Sequence, residues 1–174
     1  MAENRKFTAA ELNALTPEEF VRTVGPVFEH SPWIAEIACG QRPFAGFKTL
    51  HQTLCEAVKN SGEEQQLALI RAHPDLVGRA AQTGMLTPES TGEQAGAGLN
   101  RLSPAETGLF EEQNAAYKNK FGFPFVICAR LNQKAAILNA FERRLKNSSG
   151  QEVKTALEEI FKIAELRLKD LITQ

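Results

Sequence analysis

His73 is the residue best suited to proton transfer, and it stands in the sequence His73-Pro74-Asp75. Imidazole changes charge near neutral pH, so a histidine held in a pocket can give and take protons. Pro74 disfavours helical geometry at the preceding residue, which can direct the imidazole of His73 into a pocket. The alternative is that His73 caps the last carbonyl groups of its helix. Spacing alone favours this second, structural interpretation.

Arg167 is a charged residue at an apolar position of the last predicted helix. At about 100° per residue, Val153 and Leu171 mark the centre of the apolar stripe, and Arg167 lies roughly 40° from that centre. A charge there needs a buried partner, a ligand or a path to solvent. Two interpretations are equally open: an arginine with a role in a site, and an arginine at the rim that reaches solvent.

Two explanations also fit the run Ser90-Thr91-Gly92-Glu93-Gln94. Ser90 and Glu93 have the spacing of a capping box, in which two side chains satisfy backbone N–H groups at a helix start. A helix start can instead bind a carboxylate or carbonyl of a ligand, and Gly92 would allow close approach. The local sequence favours capping.

The three cysteines are Cys39, Cys55 and Cys128, and none forms a CxxC pair. This pattern predicts neither a disulfide framework nor a structural zinc site, and it favours a reducing, cytoplasmic compartment. Cys128 is predicted to be a small buried hydrophobe, because no histidine is near it in the sequence. His73 and Asp75 form only a pair, so no metal site is predicted.

Composition narrows the classes of function. The chain has 174 residues, of which 43% are hydrophobic and 24% charged, with a net charge of -1. This length predicts one domain covering residues 1–174. A near-neutral domain is not expected to bind nucleic acid or an anionic membrane surface, and no stretch is long enough to span a membrane. A small molecule or another protein is therefore the expected partner.

Helix-start signals and helical spacing of apolar residues predict an all-α fold, a single compact bundle of about eight or nine helices. Thr16 and Ser103 begin full capping boxes. Residues 123–129 are predicted to form a short extended segment, because Pro124 and the lack of a partner strand argue against a sheet. The region from Ala72 to Pro88 is predicted to be the longest non-helical one, which often indicates function. Helices are predicted near 8–14, 17–29, 32–39, 47–60, 63–72, 91–100, 104–120, 133–146 and 151–172.

Four stretches occur in a fixed order between His73 and Cys128, and together with Phe20, Pro26 and Trp33 before them the pattern covers nearly the whole chain. They are His73 to Gly78, Ser90 to Gln94, Asn114 to Tyr117 and Lys120 to Cys128, and Arg167 follows in the last helix. In this order they resemble the family of 2-oxo-4-hydroxy-4-carboxy-5-ureidoimidazoline (OHCU) decarboxylases. The ordered set is far more specific than any single member.

The resemblance implies an all-helical, often homodimeric enzyme without cofactor or metal, which decarboxylates OHCU to (S)-allantoin and CO2 in urate degradation. Matched residue by residue, the family's catalytic histidine is His73, its acidic partner is Glu93 and its site arginine is Arg167. The matching also implies substrate contacts at Pro74, Ser90, Thr91, Gly92, Glu93, Gln94, Phe125, Val126, Ile127, Cys128 and Ala129. An extended segment suits this role, because its backbone groups are not consumed by helix hydrogen bonds.

Two alternatives stay open at this point. One is a related lyase or hydrolase that acts on another ureide. The other is a helical interaction module without catalysis, which would present an exposed apolar groove. The order of proton transfers between His73 and Glu93 is also open.

Overall fold

Residues 6–173 are described by a computed structural model and contain ten α-helices, which confirms the predicted all-α class. The chain divides into two compact units. The first comprises the described residues up to Ala72 and those from Phe161 onward, and the second comprises His73–Ile160. That residues 1–174 form a single domain stays a prediction. Within the described residues there is no sheet, and the one parallel bridge joins Phe7 to Ile172.

The first unit is built from five helices and the end of a sixth. They are α1 (Ala9–Ala14), α2 (Pro17–Val24), α3 (Trp33–Cys39), α4 (Phe47–Lys59), α5 (Glu63–Arg71) and the last part of α10 (Ser149–Leu171). A short 3-10 helix, Gly25–Val27, continues α2. The predicted capping box at the start of α2 is confirmed, since the N–H of Glu19 donates to Thr16 Oγ1 at 3.2 Å and the N–H of Thr16 donates to the Glu19 carboxylate at 3.0 Å.

The second unit contains the remaining helices and the extended segment. The helices are α6 (Arg79–Gln82), α7 (Pro88–Gly96), α8 (Pro104–Phe121), α9 (Lys134–Arg144) and the first part of α10, with a 3-10 helix at Ala129–Leu131. The capping box of Ser103 starts α8 as predicted, and Gly122 ends it in the left-handed conformation at φ 76°. Residues 123–129 are buried and extended up to the 3-10 helix, as predicted.

Two predictions about the region before α8 are wrong. The region from Ala72 to Pro88 is not entirely irregular, because α6 forms one helical turn within it. The helix predicted near 91–100 begins earlier, at Pro88, with Thr87 as the N-cap. The N–H of Ser90 donates to Thr87 Oγ1 at 3.2 Å, so Ser90 lies in the first turn and is not the cap. The physical reason is that proline is favoured at the first helical position after a capping threonine.

Candidate active site

His73 begins a buried loop in the second unit, residues 73–78. Helix α5 ends at Arg71, two residues before His73, as expected from the proline that follows. His73 is only 8% exposed, although it is polar and lies outside regular structure. The predicted departure of His73 from its helix is confirmed.

Amide side chains from two helices hold the 73–78 loop. The N–H of Val77 donates to Gln94 Oε1 at 3.0 Å, and Gln94 Nε2 donates to the carbonyl of Asp75 at 3.4 Å. From α8, Asn114 Nδ2 donates to the carbonyl of Leu76 at 2.8 Å. Both amides are buried, so these contacts fix the loop backbone without bringing a charge into it. Gln94, predicted to read the substrate, already contacts this loop through both ends of its amide.

The same loop makes a tight turn before α6. Val77 has φ 55°, an unusual value for a β-branched residue. At Gly78, an added Cβ would lie 2.6 Å from the Cβ of Asp75, so a side chain there would force the turn to move. Asp75 is anchored by Lys118 Nζ of α8 at 2.9 Å. The turn that follows His73 is therefore sterically and electrostatically constrained.

Helix α7 presents two different faces. Ser90 and Gln94 are buried and Glu93 is partly buried, whereas Thr91 and Gly92 are exposed. This division follows from the helical period, since residues three or four apart share a face. Of the predicted contact residues on α7, Ser90, Glu93 and Gln94 thus face the interior of the second unit.

The same helix also approaches the extended segment, because α7 packs against the 3-10 helix Ala129–Leu131. Burial and then the nearby Glu159 carboxylate raise the pKa of the Cys128 thiol to about 11, and Glu93 adds to the effect. Cys128 is 1% exposed, so its predicted role as a small buried hydrophobe is confirmed. Three of the predicted stretches, around His73, Glu93 and Cys128, therefore meet at α7.

Arg144 of α9 fixes the start of the extended segment. Its Nη1 donates to the carbonyl of Val126 at 2.7 Å, and its guanidinium lies 4.3 Å from the ring centroid of Phe125. The ring of Phe125 also stacks on the ring of Phe141, with 3.7 Å between the two ring centroids. These contacts make the conformation at Phe125 and Val126 a rigid part of the core.

The charge of Arg144 is neutralised by Glu152 of α10. Nε of Arg144 lies 3.0 Å from Glu152 Oε2, and the two side chains are 4% and 0% exposed. Tyr117 donates its hydroxyl to the same carboxylate, and Asn147 Nδ2 donates to Glu152 Oε1 at 2.7 Å. Burial first, and next the hydrogen bond to Glu152, raise the pKa of Tyr117. A buried ion pair with this many hydrogen bonds leaves few donors or acceptors unsatisfied.

The end of the extended segment is held by Glu159 of α10 and by Asn132. The N–H of Cys128 donates to Glu159 Oε2 at 2.8 Å, and Asn132 Nδ2 donates to the carbonyl of Cys128 at 2.9 Å. Helix α9, predicted near 133–146, begins at Lys134 with Gln133 at the N-cap and no side-chain hydrogen bond to that cap.

Arg167 lies in the first unit and is 6% exposed, so the interpretation as a solvent-reaching rim residue is wrong. Its Nη1 donates to Glu29 Oε2 at 2.9 Å and to the carbonyl of Pro26 at 3.3 Å. Glu29 is also buried, and it supplies the partner that an arginine on an apolar stripe requires. Glu29 is followed by His30, which has a positive φ of 46°.

Sequence reasoning missed several residues that shape these sites, chiefly Glu29, Arg144 and Glu159. One signal was available for Arg144, because it follows Phe141 by three positions and so shares the apolar face of α9. Among residues 6–173, no group of three or more histidine, cysteine, aspartate or glutamate side chains could hold a metal ion. Within those residues no helix has the length and apolar character needed to cross a membrane.

Comparison with known proteins identifies the family. The family model described as OHCU decarboxylase matches residues 13–169. The chain belongs to the OHCU decarboxylase family. A curated relative from Amia calva, named 2-oxo-4-hydroxy-4-carboxy-5-ureidoimidazoline decarboxylase, is 44% identical over 162 residues, covering 93% of each chain.

Two solved structures are similar in fold to this chain. A crystal structure of (S)-allantoin synthase matches with a TM-score of 0.78 and 28% identity. The match covers 95% of this chain, which spans 54% of that one. A crystal structure of OHCU decarboxylase in the presence of (S)-allantoin matches with a TM-score of 0.67 and 28% identity, over 82% of this chain and 92% of the other.

Proposed function

We propose that this protein decarboxylates OHCU to (S)-allantoin and CO2 in urate degradation. The observation that carries the proposal is the family match over residues 13–169, together with 44% identity to a named decarboxylase along nearly the whole chain. The structure supports it with a buried histidine, a partly buried glutamate and an extended segment placed around one helix.

The reaction requires a place for the electron pair released with CO2. Many decarboxylases use a lysine Schiff base or an organic cofactor as that electron sink. OHCU has a ring C=N bond next to the carbon that carries the carboxylate, so the substrate can accept the electrons itself. The protein must then orient the carboxylate, handle the hydroxyl proton and protonate one face of the ring. We propose that it does so without a cofactor.

We assign the proton transfers to His73 and Glu93. His73 is fixed at the start of the 73–78 loop, and that loop is held by Gln94, the neighbour of Glu93 on α7. One helix therefore carries Glu93 and also supports the loop that begins with His73. Such a shared support suits a pair that must exchange protons with one substrate, since small displacements lower the rate strongly.

We assign to Arg167 the binding of a carboxylate or carbonyl oxygen of the substrate. The guanidinium fork suits such oxygens. The contacts of Nη1 with Glu29 and Pro26 hold the plane of the guanidinium, which favours a directional contact. The peptide groups of the segment from Phe125 to Ala129 would read the ureido and ring amides of the substrate.

The proton-transfer role is tested by His73→Asn, with His30→Asn as the control. His30 is exposed and has φ 46°, a conformation that asparagine adopts readily, so its replacement should leave turnover and stability unchanged. We expect His73→Asn to lower kcat by about 10²- to 10⁴-fold, because a general acid–base group contributes that much. Turnover is measured with freshly generated OHCU, and circular dichroism of the product reports its handedness. Near-normal formation of (S)-allantoin by His73→Asn would exclude this role.

The role of Arg167 is tested by Arg167→Lys, which keeps the charge and removes the fork. We expect kcat/KM to fall by about 10-fold or more, since a single ammonium group cannot replace two parallel hydrogen bonds. An unchanged kcat/KM in a folded variant would mean that Arg167 only completes the ion pair with Glu29.

Three further proposals come with the family. We propose that the protein is a homodimer, that it acts in the cytoplasm and that residues 1–174 fold as one domain. Light scattering after size exclusion would give twice the chain mass of 19.2 kDa for a dimer. A single cooperative unfolding transition, seen by two different probes, would support one domain.

A further inference from the structure

We propose that Glu159 is a positioning residue, which works with Arg144 to orient the two peptide groups of Ile127 toward the substrate. The inference rests on the proposed function, in which the segment from Phe125 to Ala129 contacts OHCU. It goes beyond that function because neither Glu159 nor Arg144 belongs to the predicted site.

Two side chains hold the peptide units on either side of Ile127. Arg144 Nη1 binds the carbonyl of Val126 at 2.7 Å, on the N-terminal side. Glu159 Oε2 accepts the N–H of Cys128 at 2.8 Å, on the C-terminal side. Both contacts involve an ionised group and are therefore stronger than neutral hydrogen bonds.

Peptide geometry transmits these two contacts to Ile127. Both peptide bonds are trans, and a trans peptide unit is planar with its C=O and N–H pointing in opposite directions. The carbonyl of Val126 points to Arg144, so the N–H of Ile127 must point away from Arg144. The N–H of Cys128 points to Glu159, so the carbonyl of Ile127 must point away from Glu159.

Ile127 is thereby left with one donor and one acceptor of fixed direction. Among the described residues of the second unit, none forms a hydrogen bond with the N–H or the C=O of Ile127. Ile127 is buried, with only 8% of its surface exposed. Buried peptide groups without a partner are rare in folded proteins. A neighbouring donor and acceptor match a ureide or a ring amide, which has one N–H and one C=O to offer in return.

The position of Glu159 favours this role over a purely structural one. Glu159 is only partly buried, so water can solvate its carboxylate and the contact with Cys128 is not needed to satisfy the glutamate itself. Helix α10 places Glu158, one residue earlier, at an exposed position. Of Glu158 and Glu159, only Glu159 accepts a hydrogen bond from a backbone N–H of the extended segment.

The experiment compares three variants with the wild-type chain: Glu159→Ala, Glu159→Gln and the control Glu158→Ala. We expect Glu159→Ala to raise KM for OHCU by about 10-fold while kcat changes by less than about 3-fold, because the lost contact orients a group used in substrate binding. Glu159→Gln keeps an oxygen acceptor for the N–H of Cys128 and should restore KM to within about 3-fold of the wild type. Glu158→Ala should match the wild type in both constants.

The outcomes separate this inference from the function on which it rests. If the wild type turns over OHCU and Glu159→Ala has the KM of Glu158→Ala, the positioning role is wrong and the proposed function stands. A KM as high in Glu159→Gln as in Glu159→Ala would also overturn it, since charge and not the acceptor oxygen would then matter. Absence of turnover in the folded wild type would contradict the proposed function itself. Thermal unfolding of each variant checks that the chain is folded.

Discussion

Two irregular stretches of the second unit carry predicted site residues, and different kinds of group hold them. The 73–78 loop is held mainly by the neutral amides of Gln94 and Asn114. The extended segment is held by the ionised side chains of Arg144 and Glu159, with aromatic rings packed around the first of them. The extended segment is buried, the 73–78 loop is buried except at Pro74 and Asp75, and neither belongs to a sheet.

The kind of group that holds each stretch corresponds to what that stretch must present to the substrate. The 73–78 loop presents a side chain, His73, whose direction depends on a tight turn with Val77 at φ 55°. The extended segment presents peptide groups, whose direction depends on the planes of successive peptide units. Breaking the buried ion pair of Arg144 and Glu152 should therefore damage the core first. Disturbing the loop that the amides of Gln94 and Asn114 hold should damage catalysis first.

The largest effect on stability is expected from Arg144→Met. The change leaves the buried carboxylate of Glu152 without its cation, and uncompensated charges of this kind cost about 3–5 kcal/mol. Unfolding in urea, monitored by far-UV circular dichroism, measures the loss. Arg143→Met is the matched control, because Arg143 is exposed one position earlier on α9 and should change the free energy by less than about 0.5 kcal/mol.

Equal stability losses for the two α9 variants would mean that the ion pair contributes little and that the aromatic rings alone hold the segment. The contrast between the two stretches would then lose its electrostatic basis.

The next effect is expected from Gly78→Ala, in the turn after His73. The new Cβ would lie 2.6 Å from the Cβ of Asp75, an atom too close to the backbone to move alone. We expect a stability loss of about 1–3 kcal/mol and a fall in kcat of about 10-fold or more, because the turn must shift and carry His73 with it. Gly108→Ala is the control, since a Cβ there meets nothing within 4 Å. A variant with normal kcat would show that His73 is positioned independently of the turn.

A smaller effect is expected from Asn114→Ala, which removes a single neutral contact of the same loop. The carbonyl of Leu76 loses its donor, and an unsatisfied buried acceptor costs about 1–3 kcal/mol. Asn119→Ala on the exposed side of α8 should be neutral or slightly stabilising, because alanine is the better helix former. We expect Asn114→Ala to lower both kcat and the free energy of unfolding. A purely structural residue would lower the free energy of unfolding alone. Unchanged kcat would mean that Gln94 alone holds the loop.

Local features of this fold could be predicted from the sequence, and distant partners could not. The capping boxes at Thr16 and Ser103 involve residues three positions apart, so the sequence contains the whole interaction. Helical periodicity placed Arg167 within the apolar stripe and left open whether it is buried, and its partner Glu29 lies 138 residues away. A periodic pattern shows that a buried charge needs a partner and does not indicate which residue provides it.

The start of α7 was misplaced for a related reason. Pro88 was predicted to end the non-helical region, although proline also favours the first position of a helix. Choosing between these uses depends on Thr87, which precedes it and caps the helix. The sequence signals that Arg144 shares an apolar face, but it does not indicate which groups Arg144 and Glu159 bind, because tertiary packing sets the path of the extended segment.

The smallest effect concerns Cys128, at the end of the extended segment. Its pKa is raised from 9.0 to about 11 by burial, so the folded state favours the neutral thiol. Stability from this group is complete below about pH 9, and it is lost as pH rises toward 11, because the thiol then ionises in the unfolded chain first. Unfolding measured at pH 8, 9 and 10 should therefore show a weaker decline in Cys128→Ala than in the wild type. An equal decline in Cys128→Ala and in the wild type would contradict this contribution of the Cys128 thiol.

Alkylation rates connect this titration to the comparison of the two stretches. At pH 8 a thiol with a pKa near 11 is ionised to only about 0.1%, and iodoacetamide reacts with the thiolate. Cys39 should therefore be modified well before Cys128 in the folded chain.

If Arg144 and Glu159 hold the extended segment closed, Glu159→Ala should speed the modification of Cys128. The substitution removes a negative charge near the thiol and the hydrogen bond to the N–H of Cys128. Gly78→Ala should leave that rate unchanged, because it disturbs the other stretch. Equal acceleration by both substitutions would show that the two stretches open together and are held as one structure.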